Sequence, residues 1–163
     1  MTEDERLSKK SHKCLLGLVS ALSKLLDEFR EKPEPECVHQ IRVHTRRIYS
    51  GLICCESMFP PVMIKKAREE LQWIRRTFGD IREYDVAFLK MRKMFPKVSN
   101  LEQKALEYIE KSFSVSAENS RKKVNYLIYR KAKAIVARIK KSINFHYSYY
   151  SPLFPINFLS ISA

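Results

Sequence analysis

Proline divides this sequence into lengths that suit helices and little else. The seven prolines fall in a few places rather than being scattered, and glycine occurs only three times. Proline lacks a backbone donor and clashes with the turn before it, so each group marks a helix boundary. From Leu7 to Arg30, Leu15, Leu18, Leu22, Leu25, Leu26 and Phe29 recur at helical intervals, and Pro33 and Pro35 stop the run. This spacing predicts a first long helix. A second helical stretch covers Cys37 to Met58 and is closed by Pro60 and Pro61. A third starts near Pro61, a residue suited to a first turn, and runs to Phe78, with Gly79 as its expected C-cap. A shorter fourth helix covers about Glu83 to Met94, before Pro96. Ser99 or Asn100 caps a fifth that runs past Phe113, and a final basic helix extends to about Ile143. The break between those two falls somewhere in Ser114 to Tyr129.

Nothing in the chain alternates like a strand, and no Asn-Gly or Asp-Gly hairpin turn occurs. Short connections between successive helices favour antiparallel packing. The expected fold is all-α, a mostly antiparallel bundle of about five to six helices. At 163 residues the chain can build one core but not comfortably two. The bundle is expected over residues 1–144, with residues 145–163 as an aromatic and apolar C-terminal tail. That tail mixes Tyr147, Tyr149, Tyr150, Phe154 and Phe158 with serines and is interrupted by Pro152 and Pro155. It is too short and too broken for a membrane span.

Charge points to the partner. The formal net charge is +13, from 31 Lys+Arg against 18 Asp+Glu. No acidic residue follows Glu118, whereas Arg121, Lys122, Lys123, Arg130, Lys131, Lys133, Arg138, Lys140 and Lys141 do. An excess of this size suits nucleic acid, an anionic membrane surface or another polyanion. Cys14, Cys37, Cys54 and Cys55 lack zinc-ligand spacing and are expected as reduced, mostly buried residues of a cytoplasmic protein. The charged N-terminus does not read as a signal peptide. There is no Gly-rich phosphate loop and no carboxylate cluster suited to magnesium, so neither an enzyme nor a cofactor is expected.

The second helix carries the sharpest signal. Arg42, Arg46 and Tyr49 follow His39 at offsets of three, seven and ten, which places all four on one helix face. Ile41, Ile48, Leu52 and Cys55 form a separate stripe suited to a core, and Arg47 lies toward a third side. Guanidinium is a rigid fork of donors matched to phosphate oxygens, and arginines one turn apart can hold successive phosphates. Imidazole beside a polyanion favours its charged form, adding a donor at mildly acidic pH. The junction of the third and fourth helices adds Arg75, Arg76, Gly79, Arg82 and Asp85, the last expected as a cap or an ion-pair partner. Trp73, among Leu71, Ile74 and Phe78, reads as core or pocket wall.

These residues resemble a family. Val38-His39-Gln40-Ile41-Arg42-Val43-His44-Thr45-Arg46-Arg47, followed by Phe78-Gly79-Asp80-Ile81-Arg82-Glu83-Tyr84-Asp85-Val86, is similar to the two motifs of the CHAD domain, the conserved-histidine α-helical domain. Phe78 and Glu83 stand where that pattern usually has Leu and Asp. The resemblance implies two pseudo-symmetric helical bundles around a basic cavity, and binding of inorganic polyphosphate. It implies that His39, Arg42 and Arg46 face the ligand, with Arg76 and Arg82 beside them. Arg47, Arg75, Arg130 and Lys133 are further expected contacts, the basic C-terminal helix closing the groove. The resemblance covers the family's N-terminal half. No second His-x-x-Arg helix follows Lys141, which leaves a truncated product or a homodimer that completes the two-fold cavity. The alternative function is nucleic-acid binding, with the C-terminal helix on the phosphate backbone. It is the less favoured, since helix-turn-helix, zinc-ligand and strand-borne aromatic patterns are all missing.

Overall fold

A computed structural model describes residues 3–93, 99–124 and 126–150. Among them lie six α-helices and no strand: α1 (Glu3–Glu31), α2 (Pro35–Cys54), α3 (Pro61–Thr77), α4 (Gly79–Arg92), α5 (Asn100–Lys123) and α6 (Tyr126–Tyr150). A 3₁₀ turn, Glu56–Met58, leads from α2 toward α3.

The apolar stripes read from the sequence meet in one core. Leu15, Val19, Leu22 and Leu26 of α1 face Val38, Ile41, Ile48 and Leu52 of α2, and Ile64, Leu71 and Ile74 of α3 join them. Ala132, Ile135, Val136, Ile139 and Ile143 of α6 complete the core. Each large aliphatic side chain so buried contributes about 1.5–3 kcal/mol relative to exposure. Helix α1 packs on α2 and α6, and α3 packs on the same two, so these four helices form a ring. Helices α4 and α5 form a hairpin whose α4 arm also rests on α2 and α3.

Phe78 joins the two parts. It is fully buried between α3 and α4 and meets Phe29 edge-to-face, with ring centroids 5.1 Å apart. The C-terminal ends of α1 and α3 and the N-terminal ends of α2 and α4 therefore come together at one end of the ring. That end carries Arg42 of α2 and Arg75 and Arg76 of α3.

Several boundaries differ from the sequence expectations. Pro35 opens α2 as a first-turn residue instead of ending α1. Gly79 does not cap α3 in a left-handed conformation. Phe78 holds φ −92° and ψ 0°, no described residue has positive φ, and Gly79 begins α4 four residues earlier than expected. The break between α5 and α6, by contrast, falls after Lys123, inside the expected window of Ser114 to Tyr129. Helix α6 continues to Tyr150, taking in residues read as the start of the tail, and Tyr147 stacks on His12 of α1 at 3.8 Å. Phe154 and Phe158 lie outside the described residues. The cysteines are free but not mostly buried: Cys14 and Cys54 are exposed, Cys37 and Cys55 half-buried. Cys37 donates its thiol to the Leu25 carbonyl at 3.2 Å, and burial pushes its pKa up to about 11. Cys14 and Cys54 sit outside the packed faces of their helices, where Leu15 and Leu52 turn inward.

Candidate functional site

Helix α2 presents the expected stripe. His39, Arg42 and Tyr49 are half-buried and Arg46 is exposed, all on the flank of α2 that turns toward α3. Arg42 is the most constrained of them. Its Nη1 donates to the Arg75 carbonyl at 3.1 Å, satisfying an acceptor in the last turn of α3. The approach depends on Gly79, where an added Cβ would lie 3.0 Å from the same Nη1.

Because α2 and α3 run antiparallel, the pairing of Arg42 with Arg75 fixes a second pairing at the other end. Arg68 donates from Nη2 and Nε to the Tyr49 hydroxyl at 2.7 and 3.2 Å, and its guanidinium lies 5.0 Å from the centre of the tyrosine ring. Lys65, Arg68, Gln72 and Arg75 follow the same offsets of three, seven and ten that organise α2. The seam between the two helices thus has polar, mostly cationic residues along both banks.

Few of the charges along this seam are neutralised within the fold. The side chains of His39, Arg46, Arg47, Arg75, Arg76 and Lys65 have no hydrogen-bond or ion-pair partner among the described residues. Some cations elsewhere are held by carboxylates, Arg138 by Glu70 at 2.7 Å, Arg92 by Glu110 at 2.8 Å and Lys133 by Asp27 at 2.8 Å, whereas Arg130, Lys131, Lys140 and Lys141 of α6 have no carboxylate partner among the described residues.

Not all the expected residues come together. Arg47 is exposed on a side of α2 away from the seam. Arg130 and Lys133 lie on α6, which packs against α1 and α3 and stands across the core from α2. Arg130 rests on the Tyr126 ring, 5.5 Å from its centre. Lys133 also donates to Ser23 Oγ at 2.7 Å, so it ties α6 to α1. The C-terminal helix therefore does not close a groove over the α2 stripe.

Arg82 is half-buried on α4, close enough to Asp85 to act on its ionisation. Asp85 is buried and forms an ion pair with Arg121 of α5, so it orients an arginine and caps nothing. Burial pushes the Asp85 carboxyl above the usual carboxylate range, and the Arg121 and Arg82 charges pull it back only in part. Its Oδ2 and Arg121 Nε have no partner among the described residues. The pair therefore fixes the α4–α5 hairpin more than it stabilises it.

The sequence reading did not assign a role to Lys65, Arg68 or Arg121. The first two carry a signal that was present, the repeated three-seven-ten spacing on α3. Trp73 is half-buried against the core with Lys131 Nζ 4.2 Å from the centre of its ring, in keeping with a wall. Among the described residues no group of three or more His, Cys, Asp or Glu could hold a metal ion, and no helix is long and apolar enough to cross a membrane.

No curated protein and no solved structure matches this chain. A family model described as the CHAD domain matches residues 13–146, which takes in both quoted motifs and most of the helical ring. The chain belongs to the CHAD domain family.

Proposed function

We propose that the protein binds inorganic polyphosphate along the α2–α3 seam, by electrostatics and hydrogen bonding and without bond breaking. The CHAD family is associated with polyphosphate binding in general. The observation that supports the placement is the clustering of arginines without a carboxylate partner on the facing sides of α2 and α3. Arg46, Arg75 and Arg76 have no acidic partner at the α2–α3 end of the fold, while Lys133 and Arg138 of α6 are occupied. Arg42 is already oriented through Arg75 and needs little ordering to present its remaining donors. A repeating polyanion suits cations spaced one helical turn apart. Nucleic acid would share the charge attraction but finds no aromatic platform along this seam besides Tyr49, whose ring carries Arg68.

The test is a competition titration at about 0.15 M salt, where exposed charges separated by more than a Debye length are largely screened. Labelled long-chain polyphosphate is displaced by unlabelled polyphosphate, single-stranded RNA or duplex DNA. Polyphosphate should be the strongest competitor, and Arg46→Ala or Arg75→Ala should weaken its binding by roughly 10- to 100-fold. Arg130→Ala should change it little. Equal displacement by all three polymers, with equal losses in all three variants, would replace the seam with a generic basic surface.

A further inference from the structure

We propose that the far end of the seam, beside Tyr49, is a second phosphate subsite built on Arg68 and Lys65, reached only by chains long enough to span the seam. The inference rests on the polyphosphate reading and extends it to ligand length. A concavity of about 580 Å³ opens between the end of α2 and the start of α3, lined by Tyr49, Lys65, Arg68 and Gln72. It lies away from the family's two sequence motifs.

Arg68 is prepared for an anion. The Tyr49 hydroxyl accepts from two of its nitrogens and the tyrosine ring supports the guanidinium from one side. No carboxylate neutralises it, and Nη1 makes no hydrogen bond among the described residues. Lys65, one turn earlier on the same face, has no partner. Glu56 and Glu69 line the same concavity, so the run of cations along the seam meets carboxylates here. The cationic track thus has an end, and the end is here.

Arg68 and Arg75 are seven residues apart, roughly 10 Å along the helix axis, with Gln72 between them as a neutral donor. Tripolyphosphate has three phosphates and cannot fill the Arg42, Arg46, Arg75 and Arg76 end and the Arg68 and Lys65 end together, whereas a long chain can. The two ends then act as linked sites, and affinity gained at the second adds to that at the first.

The experiment titrates the full chain with tripolyphosphate and with long-chain polyphosphate, using Arg68→Gln, Lys65→Gln and Arg75→Gln, all exposed positions whose melting is checked alongside. Wild type should bind the long chain more tightly. Arg68→Gln should lower long-chain affinity roughly tenfold and leave tripolyphosphate unchanged, with Lys65→Gln acting in the same direction. Arg75→Gln should weaken both ligands. If Arg68→Gln changes neither ligand, affects both equally, or affects only tripolyphosphate, the second subsite is overturned while the seam stands. Failure of the wild-type protein to bind either ligand would remove the polyphosphate reading itself, and this inference with it.

Discussion

Arg42 and Arg46 are one turn apart on the same face of α2, yet the fold gives them different work. Arg42 holds the Arg75 carbonyl, and Gly79 leaves room for it; Arg46 is exposed with no partner. Arg42→Ala should therefore lower both polyphosphate affinity and stability, the latter by about 1 kcal/mol for the lost hydrogen bond. Arg46→Ala should weaken binding to a similar degree with an unchanged urea midpoint. Arg42→Lys should recover the charge but not the fork that reaches a carbonyl and a phosphate together. Urea melts run beside the binding titrations separate the two roles, and equal stability of both alanine variants would remove the structural one. The spacing of the pair could be read from the sequence, but its division of labour could not. Gly79 shows why. A glycine after a helix suggests a left-handed cap, whereas here the demand on it comes from a guanidinium on another helix.

The helices themselves were largely legible, because proline acts within a few residues of its own position. Pro60 and Pro61 mark the entry to α3 wherever α3 goes. The break after Lys123 was legible only as the window Ser114 to Tyr129, because no proline or glycine lies near it; beyond it α6 returns the chain to α1. That return is secured by polar contacts. Tyr129 donates to Asp27 Oδ1 at 2.6 Å and Lys133 to Asp27 Oδ2 at 2.8 Å. The Lys133 hydrogen bond, then that of Tyr129, holds the Asp27 carboxyl below its usual range. The folded chain thus releases this proton more readily than the unfolded chain. The stabilisation is complete above the usual carboxylate range and is lost as pH falls through it and past the depressed value. Asp27→Asn should accordingly be less stable than wild type at pH about 7, and the gap should narrow as pH falls toward about 3. Urea melts at both values test this. A gap that persists unchanged in acid would mean that Asp27 acts through shape or hydrogen bonding rather than charge.

Across the whole molecule, the excess of cations was plain from the sequence, but its distribution was not. A run such as Arg130 to Lys141 looks like the strongest attractor, yet in the fold Lys133 and Arg138 of that run are paired, and most of the described arginines without a carboxylate partner lie on α2 and α3. Net charge alone predicts that removing any one cation matters equally. The fold predicts otherwise, and salt dependence can tell the two apart. A cation that contacts a phosphate releases condensed counterions from the ligand, so the slope of log K against log salt counts such contacts. With Arg42, Arg46, Arg68, Arg75 and Arg76 engaged, that slope should be about −3.5 by analogy with the single-strand value per contact. Arg46→Ala or Arg75→Ala should make it shallower by about 1, as expected when one phosphate contact is deleted. Arg130→Ala, with the same loss of net charge, should leave the slope unchanged, because Arg130 sits on Tyr126 across the core from α2. Fluorescence titrations from about 0.05 to 0.3 M salt supply the slopes. Equal slopes for all variants would mean that polyphosphate senses the total charge rather than the seam.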